Sequence, residues 1–258
     1  MTDRFGLDGT VALVTGGAGL LGRALCEALD DHGATVVVGD TAVDAGRELV
    51  EDLGDGATYR ELDVTSKRDV RETIPDVYDA HGGIDVLVNA AYPRTDEYGR
   101  AYEDVTFEDW RENLAMHLDG YFFTSHATSE LLLADGRAGS IVNVGSTYGV
   151  QAPDFSIYEG TEMTSPVAYA AIKGGIVNLT RYLASYLGGD GIRANTLSPG
   201  GIFDDQDSTF VEAYERRTPL GRMADPEDFQ GPIVFLASDA SRYVNGHNLV
   251  VDGGWTIC

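Results

Sequence analysis

Seven short runs of apolar, largely β-branched residues punctuate the chain, at 11–15, 35–39, 57–62, 84–89, 140–145, 192–197 and 247–251. Between them, the segments 20–32, 43–53, 66–81, 107–133, 167–187 and 226–238 place apolar residues at helical spacing. The runs are too short for helices and apolar on successive positions, the pattern of strands buried on both faces. Strand and helix alternate, so the pattern predicts an α/β fold, a doubly wound parallel sheet with helices on both sides. No repeat, low-complexity tract or linker divides residues 1–258, and a single domain is expected. Two segments, 146–166 and 199–218, fit neither period. Each follows a predicted strand, where doubly wound sheets bind ligands, so both should overhang one site.

Composition narrows the function classes. No apolar run approaches the roughly 18–20 residues of a membrane span, and the opening MTDRFGLDGT has no apolar core of a secretory signal. Cys26 and Cys258 cannot form a disulfide framework, which suits a reducing cytoplasm. The net charge is −24, from 42 acidic and 18 basic residues, which argues against nucleic-acid binding through a basic surface. The acid is spread along the whole chain, and only two lysines occur, Lys67 and Lys173. Such a surface repels itself at low salt and is screened at molar salt, so a halophilic, salt-rich setting is expected.

Chemistry enters at the first strand–helix turn. Gly17-Ala18-Gly19-Leu20-Leu21-Gly22 satisfies G-x-G-x-x-G between the first strand and the first helix. Glycines there let backbone N–H groups approach a pyrophosphate, and the helix N-terminus adds positive partial charge. Asp40 ends the second predicted strand, 18 residues after Gly22, with no Arg or Lys beside it. A carboxylate there accepts hydrogen bonds from ribose hydroxyls and repels a 2′-phosphate, so NAD is expected in preference to NADP.

Ser146 follows the fifth strand, and Tyr169 and Lys173 stand four residues apart in Tyr-Ala-Ala-Ile-Lys. On a helix that spacing puts phenol and ammonium on one face. The ammonium is expected to lower the tyrosine pKa and make Tyr169 an acid/base near neutral pH. His32, His81, His126 and His247 lack metal-ligand spacing, and no metal site is expected. Cys26 reads as a small core residue.

These residues together resemble the short-chain dehydrogenase/reductases. The matching segments are Thr15–Gly22, Asn89-Ala90-Ala91, Ser146, Tyr169/Lys173, Pro199-Gly200 and Val251-Asp252-Gly253-Gly254. The resemblance covers nearly the whole chain. It implies a Rossmann-type seven-stranded sheet and NAD(P)-dependent oxidoreduction of an alcohol or carbonyl. It further implies that Tyr169 exchanges the substrate proton, that Ser146 bonds the substrate oxygen, and that Lys173 holds the nicotinamide ribose. Cofactor contacts are implied at Gly16, Gly19, Leu21, Gly22, Asp40, Asp63, Val64, Asn89, Ala90, Tyr169, Lys173 and Pro199, with Ile202 against the carboxamide. A homotetramer paired through the helices at 107–133 and 167–187 is also implied.

The chain departs from the family pattern in four places. The glycines follow T-G-x-x-G-x-x-G, with Leu20 where the short branch has glycine. Ser146 and Tyr169 are 23 residues apart, so the intervening loop is enlarged. His117 replaces the usual asparagine, and Asp204 replaces a threonine. His117 is a fourth catalytic candidate, with three readings: a backbone water-holder, a side-chain proton shuttle, or a packed histidine. The enlarged loop and Pro199-Gly-Gly-Ile are similar to oxidoreductases of bacterial flagellin-modification and nonulosonic-acid pathways. Asp154, Ser156, Tyr158, Glu159, Thr161 and Thr164 offer partners to a polyhydroxylated small-molecule substrate, while Tyr148, Phe155 and Met163 could line a pocket. The glycine spacing leaves a sugar-nucleotide epimerase or dehydratase as an alternative, and a redox sensor without turnover is another.

Overall fold

The computed structural model describes residues 3–54 and 56–258. Its seven strands are β1 (Val11–Thr15), β2 (Thr35–Asp40), β3 (Thr58–Glu61), β4 (Val86–Asn89), β5 (Gly139–Val144), β6 (Ile192–Pro199) and β7 (Asn248–Val251). They form one sheet in the order β3-β2-β1-β4-β5-β6-β7, every neighbouring pair parallel. Strand order reverses between β1 and β4, which opens the crevice that doubly wound sheets use for ligands. Strands so placed need two apolar faces, and successive residues serve opposite ones. Ala12, Val14, Val36 and Val38 pack with α1 (Leu20–Asp31), α2 (Val43–Asp52) and α8 (Gln230–Ala237) through Leu25, Leu29, Leu49 and Ile233. Leu13, Val37, Leu87 and Ile141 pack the other way, onto α3 (Lys67–His81), α5 (Gly120–Asp135) and α6 (Val167–Leu187). Cys26 is fully buried in the first of these layers.

The single helix expected at 107–133 is divided. Residues Phe107–Leu114 form α4, capped by Thr106 and Asp109 in a reciprocal box. A π-helical turn, Ala115–Asp119, then joins it to α5. The turn lies against α6 at Gly175, where a Cβ would come within 3.0 Å of Leu118. No proline or glycine stands within Ala115–Asp119 to mark the break in the sequence.

The loop expected at 199–218 also contains a helix, α7 (Ser208–Arg217). Asp207 caps it by accepting the Thr209 N–H at 2.7 Å. Only Phe210 and Tyr214 are buried along it, too few anchors to register as a helical period. They join Ile157, Met223 and Trp255 in a small separate core above the carboxyl ends of the strands. Tyr214 stacks on Trp255 with centroids 4.2 Å apart. The guanidinium of Arg217 sits 4.5 Å over that indole and pairs with Asp154 of the enlarged loop. Loop, helix and C-terminal segment therefore form one lobe over the crevice.

Candidate active site

The glycine turn, Asp40, Ser146, Tyr169 and Lys173 converge on one cavity of about 980 Å³ at the carboxyl ends of β1, β2, β4, β5 and β6. One end is the glycine turn. Gly16 has φ of +69°, and a Cβ there would come within 2.5 Å of the Ala91 Cα. At Gly22 a Cβ would lie 2.0 Å from the Gly16 carbonyl oxygen, so glycine alone allows α1 to start this close to β1. No side chain among the described residues caps α1, and its first turn carries no acid in a chain with 42 of them. The opening N–H groups thus face the cavity free for an anion, which suits a pyrophosphate. Asp40 lines the same end, its carboxylate accepting Ala18 N–H and Ala42 N–H at 3.0 Å each. The donor set and carboxylate fit an adenine dinucleotide.

Gly16, Gly19, Leu21, Gly22, Asp63, Val64, Ala90, Pro199 and Ile202 all line the cavity. Asn89 does not. Its side chain is fully buried, donating to Asn143 Oδ1 at 2.8 Å and Ser125 Oγ at 3.0 Å and accepting from Thr124 at 2.7 Å. That network ties β4 to β5 and α5, so the Asn89 side chain supports the strand end beside the cavity.

At the other end stand Ser146, Tyr169 and Lys173. Ser146 caps the short turn Thr147–Gly149, its Oγ accepting the Tyr148 N–H at 3.1 Å. The hydroxyl proton remains available for a ligand. A Cβ at Gly149 would come within 2.7 Å of the Lys173 carbonyl, so the turn lies directly on α6. Tyr169 is half-buried, and burial pushes its phenol above the usual range, with the Ser146 hydroxyl pulling it partly back. Lys173 is buried, its Nζ donating to the Val144 carbonyl at 2.9 Å. It lies 5.6 Å from the Tyr169 ring, 5.6 Å from Tyr121 and 5.7 Å from Tyr92. Burial lowers its pKa to about 7. Among the protein's own groups, therefore, desolvation outweighs the expected lowering of Tyr169 by the ammonium.

His117 sits in the π-helical turn, fully buried, its ring 5.2 Å from Tyr92 and 5.3 Å from Tyr121. Neither ring nitrogen has a partner among the described residues, and the residue does not line the cavity. Burial, and then the charge of Lys173, hold its pKa well below the usual value. Of the three readings, the buried ring between Tyr92 and Tyr121 accords best with the packed histidine.

In the enlarged loop, Tyr158 and Thr164 line the cavity, as do Tyr148 and Met163. Asp154 instead caps the turn Phe155–Tyr158 and pairs with Arg217. Ser156 donates to Asp154 at 2.7 Å, Thr161 donates to the Tyr158 carbonyl at 2.8 Å, and Glu159 and Phe155 are exposed. Sequence reasoning missed Tyr92, Arg94, Phe210, Tyr214 and Met223, all on the cavity wall. Tyr92-Pro93-Arg94 follows the end of β4, and the rule that drew attention to Ser146 after β5 applies to it equally.

The family model described as enoyl-(acyl carrier protein) reductase matches residues 17–256. Among curated relatives, post-translational flagellin modification protein A of Campylobacter coli is 35% identical, covering 96% of this chain and 99% of that protein. D-threitol dehydrogenase of Mycolicibacterium smegmatis is 35% identical, covering 98% and 95%. Among solved structures, a short-chain dehydrogenase of Leptospira borgpetersenii with bound NAD+ superposes with a TM-score of 0.88 at 35% identity, covering 99% and 96%. A gluconate 5-dehydrogenase of Burkholderia cenocepacia, in complex with NADP and tartrate, gives 0.86 at 31% identity, covering 99% and 98%.

Proposed function

The chain belongs to the short-chain dehydrogenase/reductase family, and from that premise we propose that it is an NAD-dependent oxidoreductase of a sugar, polyol or sugar-derived carbonyl. One observation carries the reading: Ser146, Tyr169 and Lys173 share a single cavity with an uncapped glycine turn and the carboxylate of Asp40. The D-threitol, galactitol and L-rhamnose dehydrogenases among its relatives support the substrate class. Solved relatives hold either NAD or NADP, so the preference for NAD rests on Asp40.

When bound, the dinucleotide supplies the hydride acceptor for oxidation or the donor for reduction, and its oxidised ring adds a positive charge that favours phenolate. Tyr169 takes the hydroxyl proton of an alcohol in oxidation and returns one to a carbonyl oxygen in reduction. Ser146, its Oγ already accepting a backbone N–H, donates its proton to that same oxygen. Lys173, anchored on the Val144 carbonyl and 5.6 Å from the Tyr169 ring, would hold the nicotinamide ribose. Asp40 would receive the adenosine ribose hydroxyls, Gly16, Gly19, Leu21 and Gly22 would hold the pyrophosphate, Asp63 and Val64 the adenine, and Ala90, Pro199 and Ile202 the nicotinamide half. Tyr148 and Tyr158, bonded through their hydroxyls at 3.1 Å, offer aromatic faces and polar edges to a polyhydroxylated substrate.

The acid-rich, lysine-poor surface supports a salt-rich cytoplasm as the working environment. Exposed Phe122, Leu133, Tyr182 and Tyr186 on α5 and α6 support a tetramer paired through those helices. No helix among the described residues is long and apolar enough to cross a membrane. The functional test is NADH absorbance during incubation with a panel of sugars and polyols at molar salt. Turnover supports the dehydrogenase, whereas dinucleotide binding with no turnover on any member supports a sensor.

A further inference from the structure

The loop after β4 holds two arginines in opposite circumstances. Arg100 is paired twice, with Glu97 and with Asp109, at 2.7 Å each. Arg94 pairs with no carboxylate among the described residues, in a chain where acids outnumber bases by 42 to 18. It lies on the cavity wall, with its guanidinium 5.1 Å from the Tyr92 ring. That ring stands 5.8 Å from the ring of Tyr169. The loop is anchored rather than loose. Asn113, buried, accepts the Thr95 N–H at 3.1 Å and donates to Thr95 Oγ1 at 2.9 Å and to the Asp109 carbonyl at 2.9 Å.

Lys173 is the other cation of the wall, but it is buried and already donates to Val144. Arg94 is thus the exposed positive charge in a cavity whose acids are Asp40, Asp63 and Asp204. Asp40 and Asp63 each accept local N–H groups. The guanidinium has the Tyr92 hydroxyl as one hydrogen-bond partner, and its remaining N–H donors suit a carboxylate or phosphate. A substrate anion away from the glycine turn gains from such a local counter-charge in a chain of net charge −24.

We propose that the substrate is an anionic polyhydroxy compound, whose carboxylate or phosphate binds Arg94 while its carbinol carbon reaches Tyr169 along the aromatic wall of Tyr92 and Tyr148. This rests on the dehydrogenase reading above and specifies its substrate class. Arg94 is a specificity-determining residue in that reading: it holds the end of the substrate remote from the reacting carbon.

The test compares compounds of one six-carbon skeleton: glucitol, gluconate and glucitol 6-phosphate. Steady-state kinetics are run at saturating NAD+, and calorimetric titration of gluconate and glucitol 6-phosphate into the NADH complex is run alongside. The expected result is at least a tenfold higher kcat/KM for one of the two anions than for glucitol, and the better anion names carboxylate or phosphate. Arg94→Gln should remove that advantage through KM, with kcat and the NADH dissociation constant within twofold. Arg94→Lys should retain part of it. An anion no better than glucitol in the unaltered enzyme would overturn the proposal. So would an Arg94→Gln enzyme that loses neutral and anionic substrates alike, which marks a structural latch such as one to Asp204, or one that loses NADH affinity, which turns Arg94 toward the cofactor. Should no alcohol be oxidised at all, the dehydrogenase reading fails, and calorimetry still decides this one. Anion binding abolished in Arg94→Gln upholds the contact, and binding that is absent or unchanged rejects it.

Discussion

Replacing Asp40 with asparagine should relax the choice of dinucleotide. The carboxylate is held at the end of β2 by two N–H groups at 3.0 Å, and the residue's own carbonyl accepts the Tyr59 hydroxyl at 2.7 Å, so it cannot readily swing away. A 2′-phosphate brought against it carries about −1.5 to −2 charges. At ~4 Å, one pair of unit charges repels by about 1 kcal/mol in water and about 4 kcal/mol at an effective dielectric of ~20. Asp40 is half-buried and falls between these limits. Even the lower limit, with the phosphate's charge, approaches or exceeds the ~1.4 kcal/mol that makes a tenfold preference. The substituted amide would keep an oxygen for one of the two N–H groups while removing the charge. The ratio of kcat/KM for NADPH over NADH should therefore rise at least tenfold, mainly through the KM for NADPH. Fluorescence titration with both reduced dinucleotides reads the same change without a substrate. The gap should narrow toward molar salt, where the Debye length is ~3 Å. A wild-type enzyme that favours NADP, or an unchanged ratio in Asp40→Asn, would refute the reasoning.

Other outcomes follow from the same geometry. Burial holds the folded pKa of Lys173 near 7, against 10.5 ordinarily, so the unfolded chain binds a proton there that the folded one lacks. Ligand-free stability should accordingly rise with pH between about 7 and 9, by up to about 1.4 kcal/mol per pH unit from this group, before the raised Cys26 thiol and tyrosines oppose it. Lys173→Met should flatten that slope in urea denaturation. His117→Asn should leave the pH profile of kcat unchanged, since the imidazole is already neutral, and loss of an apparent pKa near neutrality would show a shuttle after all. Arg217→Ala frees the enlarged loop from α7 and should raise the substrate KM several-fold with NADH affinity preserved; unchanged KM would show that the lobe does not shape the site. Light scattering in molar salt should report a tetramer that dissociates or unfolds when salt is removed, and a monomer there would contradict the proposed pairing of helices.

Much of this architecture is legible in the amino-acid sequence. β1, β2, β4, β5 and β6 emerged because they are buried along nearly their whole length, the edge strands β3 and β7 are only half-buried and carry a weaker signal, and the parallel order followed from the alternation with helices. The glycine turn, Asp40, Ser146, Tyr169 and Lys173 could be found because backbone approach and i,i+4 geometry demand those residue types at those spacings. Other features lack a local signature. Phe210 and Tyr214 are buried against Ile157, Met223 and Trp255, partners distant in sequence, so α7 read as loop. The polar residues of the enlarged loop promised substrate contacts, but Asp154 and Ser156 satisfy the loop itself. The effect of burial on Tyr169 and Lys173 was not legible, because spacing reveals a neighbouring charge and not the depth at which both groups lie.

The most direct test of the central claim, that Tyr169 moves the proton beside a bound dinucleotide, is the Tyr169→Phe enzyme assayed in two ways at once. Removing one hydroxyl should leave NADH affinity within about twofold, because the glycine turn, Asp40 and Lys173 are untouched, while turnover on the best alcohol of the panel falls by at least the ~100-fold that a positioned acid/base supplies. An enzyme that keeps more than a few percent of its activity would show that the proton travels by another group, and the assignment built on Ser146, Tyr169 and Lys173 would fall.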